Sequence, residues 1–599
     1  MQVIACIVNA IAVALSITPP DAAIDNAALH VDPGIAVAPP GCVADVNGDD
    51  DLNILDYITF NALFSEDDPA ADINDDGVLN ILDFVALHDA FVAGCDQAFV
   101  WTDFQPSPDT RFVHVSSATG DDANDGATPD APVRTLARAC ELVRDGYPDW
   151  LLLKRGDSWT GEDFGRWKKS GRSKSEPMYI GAYGASDKRP LVQTGKATRA
   201  FWLDGAAGLN HVAIDGIEFH AHTYDGVEGA EAGILWLGGG GDLIIEDCLV
   251  RGYKDNIVFH GFGQTAKDLR VRGCVIVDAW SKVAHAQGLY AQEAQHIVVE
   301  GCVFDHNGWV EGVPGAEANP FNHNIYIQYN ANFVDVRDCL LVDASSHAIQ
   351  MRCSGNVEDC VFISNPIGLL VGNGGEAPPA VTRIAGNAFL FADDINPDTP
   401  RGMGIDLQNI ASGEIVANLI ADEKSVHAHG HAMKMHASAG APVYDVLFDA
   451  NIIHEWRGGI RFNESSIDGV TIADNIIHNQ FTDTPIIKHQ GNPLDIGITY
   501  DKNRYYSGAP DYTWYQVVFD VYDFEGWTDL VDELGAAAGP TTFIDPGRTV
   551  ETFQASMGQT PTHAAFIEAV RAQGRLTWDP RYSTRAILAY FQEGYTPLP

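Results

Sequence analysis

The sequence predicts a mainly β protein: a parallel β-helix, in which short strands wind into stacked coils. Two observations predict it. From about His211 a phrase of two short β-runs around a tight turn recurs along the chain. A further β-run follows each phrase and alternates apolar with polar residues in step with its neighbours, the pattern of strands with one buried face.

The elements follow in chain order. Residues 1–22 begin with the apolar run "MQVIACIVNAIAVALSI" and continue into small residues. This reads as a secretory signal peptide, so the chain is expected to be secreted, extracellular or attached to a cell surface. Cys42 and Cys95 then bracket an acidic duplication and form a candidate disulfide clasp. Its copies read "DVNGDDDLNILD" and "DINDDGVLNILD". An EF-hand-type loop offers oxygens at its alternate positions and its last, one of them from the backbone. The first copy supplies Asp45, Asn47, Asp49, Asp51, Asn53 and Asp56; the second supplies Asp72, Asn74, Asp76, Val78, Asn80 and Asp83. A Ca2+ ion is expected in each. Gly77 suits the sharp turn at the sixth position better than Asp50 does, so the second loop should bind more tightly.

An apolar helical stretch follows each loop, "YITFNALF" and "FVALHDAF", and each loop ends in Asp rather than Glu. On these features residues 42–95 resemble a dockerin. The resemblance implies two bound calcium ions and a cohesin-type partner on a scaffold or cell surface. Ile54–Leu55 and Ile81–Leu82 depart from it, where many dockerins carry small hydroxyl residues.

Residues 96–110 read as a linker and residues 111–500 as the β-helix. "VHVSSATGDDANDGATPDAPVRTLARACELV" gives a strand, a loop and an amphipathic helix, and such a helix can cap the open end of a solenoid. "YIGAYGASDKRPLVQT" is expected to open the coils. The recurring phrase then runs "HVAIDGIEF", "DLIIEDCLV", "DLRVRGCVI", "HIVVEGCVF" and onward, about thirty residues per coil. Its turn residue forms a column: Cys248, Cys274, Cys302, Cys339 and Cys360, then Asn387, Asn418, Asn451 and Asn475. The asparagines can hydrogen-bond up a stack, and the thiols serve as small buried residues rather than disulfides or zinc ligands. Residues 501–599 form a partly helical C-terminal extension, expected to pack on the other end or a side. The repeat pattern from Phe112 to about Gln490 resembles the pectate-lyase-like, right-handed parallel β-helix family.

The net charge is −45. Such a surface repels nucleic acid and anionic membranes, and no later run is long and apolar enough to cross a bilayer. Against this background one face stands out. The outward positions of the third run of each coil form a column of Val258, Tyr290, Tyr326, Gln350, Leu370, Asp406, Lys434, Arg461 and Lys488. Beside it run His260, Gln292, Gln328, Arg352, Gly372, Gln408, His436, Asn463 and Gln490. This ribbon of aromatic, amide and cationic groups suits an extended anionic polysaccharide.

β-Elimination at a uronate needs a cation on the carboxylate, a base for the α-proton and an acid for the leaving oxygen. Arg352 could supply the first, His323 or His347 the second, and Tyr326 the third or both proton transfers. Lys434 and Arg461, with His436, form a rival centre about three coils, roughly 14 Å, from Arg352. Tyr290, Gln292, Gln328, Gln350, Asp406, His436 and Lys488 would hold the glycan. The resemblance also implies a further calcium ion in the groove, as in some β-helix lyases. A glycoside hydrolase is the alternative on the same fold. It needs paired carboxyl groups; Asp406 is the one acid in the columns, and Asp278, Asp305 and Asp343 on the turns could reach in. A uronan C5-epimerase and a non-catalytic glycan-binding surface protein stay open.

Overall fold

The computed structural model describes residues 99–599 apart from 198, 426–429, 439, 464–465, 494–496 and 599, together with a few isolated positions before 99. The signal segment, the Cys42–Cys95 pair and the calcium-loop ligands lie outside the described residues, save the backbone of Asp51, which pairs with Val37. The chain divides into two compact units, Met1–Val100 and Trp101–Pro599. In the first, Phe60, Ala71 and Leu87 are buried.

The second unit is a right-handed parallel β-helix. Each coil contributes one strand to each of three sheets, and each strand pairs in parallel with its counterpart one coil on. The first sheet runs from Phe112–Val115 to Ile498–Asp501, the second from Ser158–Thr160 to Ala537–Ala538, and the third from Arg166–Trp167 to Asp520–Tyr522. The period-two pattern turns Ile257, Leu289, Ile325, Ile349, Leu369, Ile405 and Met433 of the third sheet into a dry core. No helix among the described residues is long and apolar enough to cross a membrane.

The corner from the first to the second sheet is the recurring turn. One residue there takes a left-handed conformation, for example Asp247 (φ 52°), Gly273 (φ 54°) and Asp474 (φ 51°). Gly and Asp tolerate this region best, which is why the phrases read "ED", "RG" and "AD" before the ladder residue.

The ladder residue points inward. The amide of Cys248 donates to Cys274 Sγ (3.4 Å), and that of Cys360 to Asn387 Oδ1 (2.9 Å). From there the asparagines take over: backbone N–H and side-chain Nδ2 of Asn418 both donate to Asn451 Oδ1 at 2.9 Å. Nδ2 of Asn418 also donates back to Ile384 O (2.9 Å), so each amide joins three coils. The ladder continues past Asn475 to Asn503, and Glu533 Oε1 closes it by accepting from Asn503 N (3.1 Å) and Nδ2 (2.8 Å). All seven described cysteines are free, and burial pushes the thiols of Cys248, Cys274, Cys302 and Cys339 well above the ordinary range.

Both ends are sealed. At the start, Thr135 caps the helix Leu136–Leu142, which buries Leu136 and Ala139. A complete coil, Trp150–Lys154, Ser158–Thr160 and Arg166–Trp167, precedes the one expected to be first. Its strands are short and its corners carry extra glycines, so the phrase is hidden there. At the far end the stack runs beyond residue 500, and Trp527 of helix Phe524–Val531 lies flat on Tyr515 (4.7 Å, 2°). Helices Val550–Ser556, His563–Arg571 and Thr584–Gly594 cover the outer face of the second sheet, packing Phe566, Val570, Ile587 and Phe591 on Val303, Leu340, Val361 and Leu419.

Asn418→Ala removes donors and an acceptor from neighbours that stay buried, and should destabilise by about 2–4 kcal/mol. Cys274→Ala loses only weak sulfur contacts and should cost less than half as much. Denaturant midpoints of the two variants check the ordering, and equal losses would refute the ladder's proposed hierarchy.

Candidate functional site

The outer face of the third sheet carries the two expected columns. Paired positions run Val258–Tyr290–Tyr326–Gln350–Leu370–Asp406–Lys434–Arg461–Lys488, one residue per coil. Gln408, His436 and Asn463 likewise pair in order. Parallel pairing sets these neighbours roughly 4.8 Å apart.

The aromatic part lies upstream. Tyr290 and Tyr326 meet edge-on at 5.7 Å, and Tyr290 Oη donates to Gln292 Oε1 (2.5 Å). His323 packs against Tyr326 at 5.1 Å and stands perpendicular to His347 at 4.8 Å. Both histidines are buried, at 2% and 8% exposure. Burial, then the neighbouring rings of His347 and His285, push His323 well below its ordinary pKa. Burial pushes His347 down to about 4, with Asp406 opposing and Arg401 assisting. Arg352 does not face the groove unpaired: it pairs with Glu376 (2.6 Å) and lies over Tyr329 (5.6 Å). His323, Tyr326 and His347 thus form one cluster, and Arg352 reaches Tyr326 while its guanidinium is also held by the loop carboxylate of Glu376.

Downstream, Lys434, Arg461 and Lys488 stack on successive coils and line a cleft of about 430 Å³ with Arg401, Met403, His431, Asn463 and Gln490. Among the described residues, none that lines it carries a carboxylate, and the oxygens on offer there are the amides of Asn463 and Gln490. Asp406 lies just behind, 7% exposed, with Oδ1 2.6 Å from His431 Nε2. Burial alone would raise its pKa; the His431 contact and the charge of Lys434 outweigh it and hold the carboxyl below the usual range. Burial and then the Arg461 charge lower Lys488. Burial and then Lys434 lower His436. Behind Arg461, burial pushes the Glu423 carboxyl up to about 8, so at neutral pH this acid leaves the cleft cationic.

The turn acids belong to another face. Asp278 and Asp305 pair with Arg571 of the tail, and Asp343 with His563 (2.9 Å). They cannot flank a glycan on the third sheet, which removes that source of a hydrolase's second carboxyl group. Two residues of the cleft escaped the sequence reading. His431 opens "HAMKMH" as His347 opens "HAIQMR", so aligning strand starts would have found it. Arg401 comes from the loop before Met403–Gln408, where no repeat signals it.

The three sheets and the turn ladder define a right-handed parallel β-helix with one elongated polar face. A family model described as right handed beta helix region matches residues 204–389. No curated protein matches the chain. Among solved structures, a mannuronic acid specific polysaccharide family 6 lyase from human gut microbiota is similar over 80% of this chain and 99% of its own, at 11% identity and TM-score 0.46. Pectate lyase Pel9A is similar over 54% of this chain and 78% of its own, at 13% identity and TM-score 0.33. A rhamnogalacturonan lyase is similar over 57% and 82%, at 12% identity and TM-score 0.38. These likenesses concern the fold alone.

His347 makes a pH prediction. Its folded pKa of about 4 lies below the roughly 6.5 of an unfolded histidine. The unfolded chain therefore binds more protons between these values, and stability rises with pH across that window. The contribution is full above about pH 6.5 and is lost as pH falls toward 4, about 3 kcal/mol in all. Thermal midpoints at pH 7 and 4.5 should fall less in His347→Gln than in the wild type; an identical fall would exclude His347 as a source.

Proposed function

We propose that this protein is an extracellular polysaccharide lyase that cleaves an anionic glycan by β-elimination at a uronate, in the cleft around Lys434, Arg461 and Lys488. The observation that carries the reading is this stack of cations, with Arg401, around an open cleft on a chain of net charge −45. A polyanion is the ligand such a local field attracts.

Arg461 and Lys488 neutralise the uronate carboxylate, which acidifies the proton on the carbon beside it. Lys434 takes that proton. Lys434, protonated by that step, returns the proton to the departing glycosidic oxygen, while buried His431 holds Asp406 behind it. Base, acid and carboxylate clamp thus come from three adjacent coils. Tyr290, Gln292, Tyr326, Gln328 and Gln350 extend the face upstream as a binding ribbon, and His323 and His347 shape its floor.

The chain should therefore raise ultraviolet absorbance from unsaturated uronate ends on at least one of alginate, pectate or a glycosaminoglycan. Lys434→Ala should lower kcat/KM by about 10²–10⁴-fold, while Tyr326→Phe changes it only a few-fold. The reverse ranking would move the chemistry to the histidine cluster. Reducing ends without absorbance would make the protein a hydrolase, altered uronate configuration without cleavage an epimerase, and binding without turnover a glycan-binding protein.

The same reading assigns residues 42–95 to calcium-held attachment through a cohesin-type or other surface partner. The full chain should bind calcium at both loops, and Asp72→Ala should remove the tighter site while Asp45→Ala removes the weaker. Equal affinities in the two variants would contradict the role given to Gly77 and Asp50.

A further inference from the structure

The outer face of the second sheet carries a cluster that glycan cleavage does not use. His454 and His478 are in register on successive strands, Ile452–His454 and Ile476–Asn479. Glu455 follows His454 at the left-handed corner (φ 47°). The tail closes over them: Phe543 stands edge-on to His454 at 5.4 Å and Tyr595 at 5.2 Å. Both histidines are more than nine-tenths buried, at 7% and 6% exposure.

Three polar atoms converge here without bonding. Glu455 Oε1 lies 3.9 Å from His454 Nε2 and 3.9 Å from His478 Nε2. Those separations are too long for hydrogen bonds, and neither Glu455 Oε1 nor His478 Nε2 has a hydrogen-bond partner. Buried polar groups left unmet are costly, so the arrangement asks for something between them. Ligands about 2.0–2.2 Å from a tetrahedral zinc ion lie roughly 3.3–3.5 Å from one another. A contraction of about half an ångström would bring Glu455 Oε1 to that spacing from each imidazole nitrogen, and the ligand atoms of the three residues all lie within 4.8 Å of one another. Asp422 stands behind His454, its Oδ1 3.5 Å from Nδ1, and is fixed by the Tyr595 hydroxyl, which donates to Oδ2 (2.7 Å). A carboxylate in that place orients a metal-bound imidazole.

We propose that His454, His478 and Glu455 bind a divalent transition-metal ion of the zinc class. Two imidazoles and one carboxylate suit such an ion and not calcium. Thr541 N donates to His478 Nδ1 at 3.3 Å; coordination through Nε2 places the ring proton on Nδ1, so binding the ion lengthens that contact. The similar group Asp305, His306 and Asp343 is a poorer candidate, because both carboxylates are already engaged in ion pairs, Asp305 Oδ2 with Arg571 and Asp343 Oδ2 with His563.

The test uses the full chain, stripped with a chelator, saturated with calcium to fill the N-terminal loops, and titrated with Co2+. A visible absorption band of nitrogen-ligated, low-coordinate cobalt should grow to one equivalent and be displaced by Zn2+. His454→Ala and His478→Ala should abolish it, and Zn2+ should raise the thermal midpoint of the wild type but not of these variants. Should they fail to fold, Glu455→Gln keeps the shape and should weaken Co2+ binding about tenfold or more. No band, or a band equally strong in Glu455→Gln, overturns the proposal.

Discussion

Everything in this molecule depends on parallel register between coils. Each strand pairs with its counterpart one coil on, so a residue type at one position is stacked on whatever the next coil places there. The corner ladder makes that register hard to slip. A side-chain amide that donates to the coil before and the coil after is satisfied in one alignment only. A shift by one residue would also turn every core Ile and Leu of the third sheet toward water. Glu533 matters for the same reason: the last asparagine would otherwise present donors to nothing, and a buried carboxylate accepts from both.

What could be read in the sequence follows from which interactions repeat. The ladder positions and the two outward columns were legible because they recur once per coil with fixed chemistry. Asn503 was missed because its coil, "DKNRYY", lacks the apolar flanks of the phrase, although its amide bonds as the others do. The first coil was missed because its second and third strands, of three and two residues, carry no period. Loop contacts do not repeat and leave no trace: Glu376 on Arg352 and Arg401 in the cleft arrive from segments unrelated to the coil pattern. The docking of the tail on Asp278, Asp305 and Asp343 joins residues more than two hundred apart, and only the folded chain brings them together.

The two clusters on the third sheet differ in access. A general base must reach a proton on a bound chain. His323 and His347 are almost fully buried, and burial lowers the pKa of both. Arg352 beside them is already paired with Glu376. The downstream cleft is lined by Lys434, Lys488, Arg401 and Arg461, and Asp406 behind it is held by His431.

Comparison of the outer faces carries the argument further. On the first sheet a register column reads Glu246, Arg272, Glu300, Arg337 and Glu358, so that charge alternates from coil to coil. Arg272 bridges Glu246 and Glu300 at 2.8 Å each, and Arg337 continues the chain of pairs. The same stacking rule that permits this alternation operates on the third sheet, yet there Lys434, Arg461 and Lys488 follow one another with one sign. Like charges about 5 Å apart repel by roughly 1 kcal/mol even in water, and by more beside a low-dielectric wall. The tail covers the middle of the second sheet. On the function proposed above, a polyanion laid along the coils would set negative groups against successive cations, and that match would favour charged over neutral glycans.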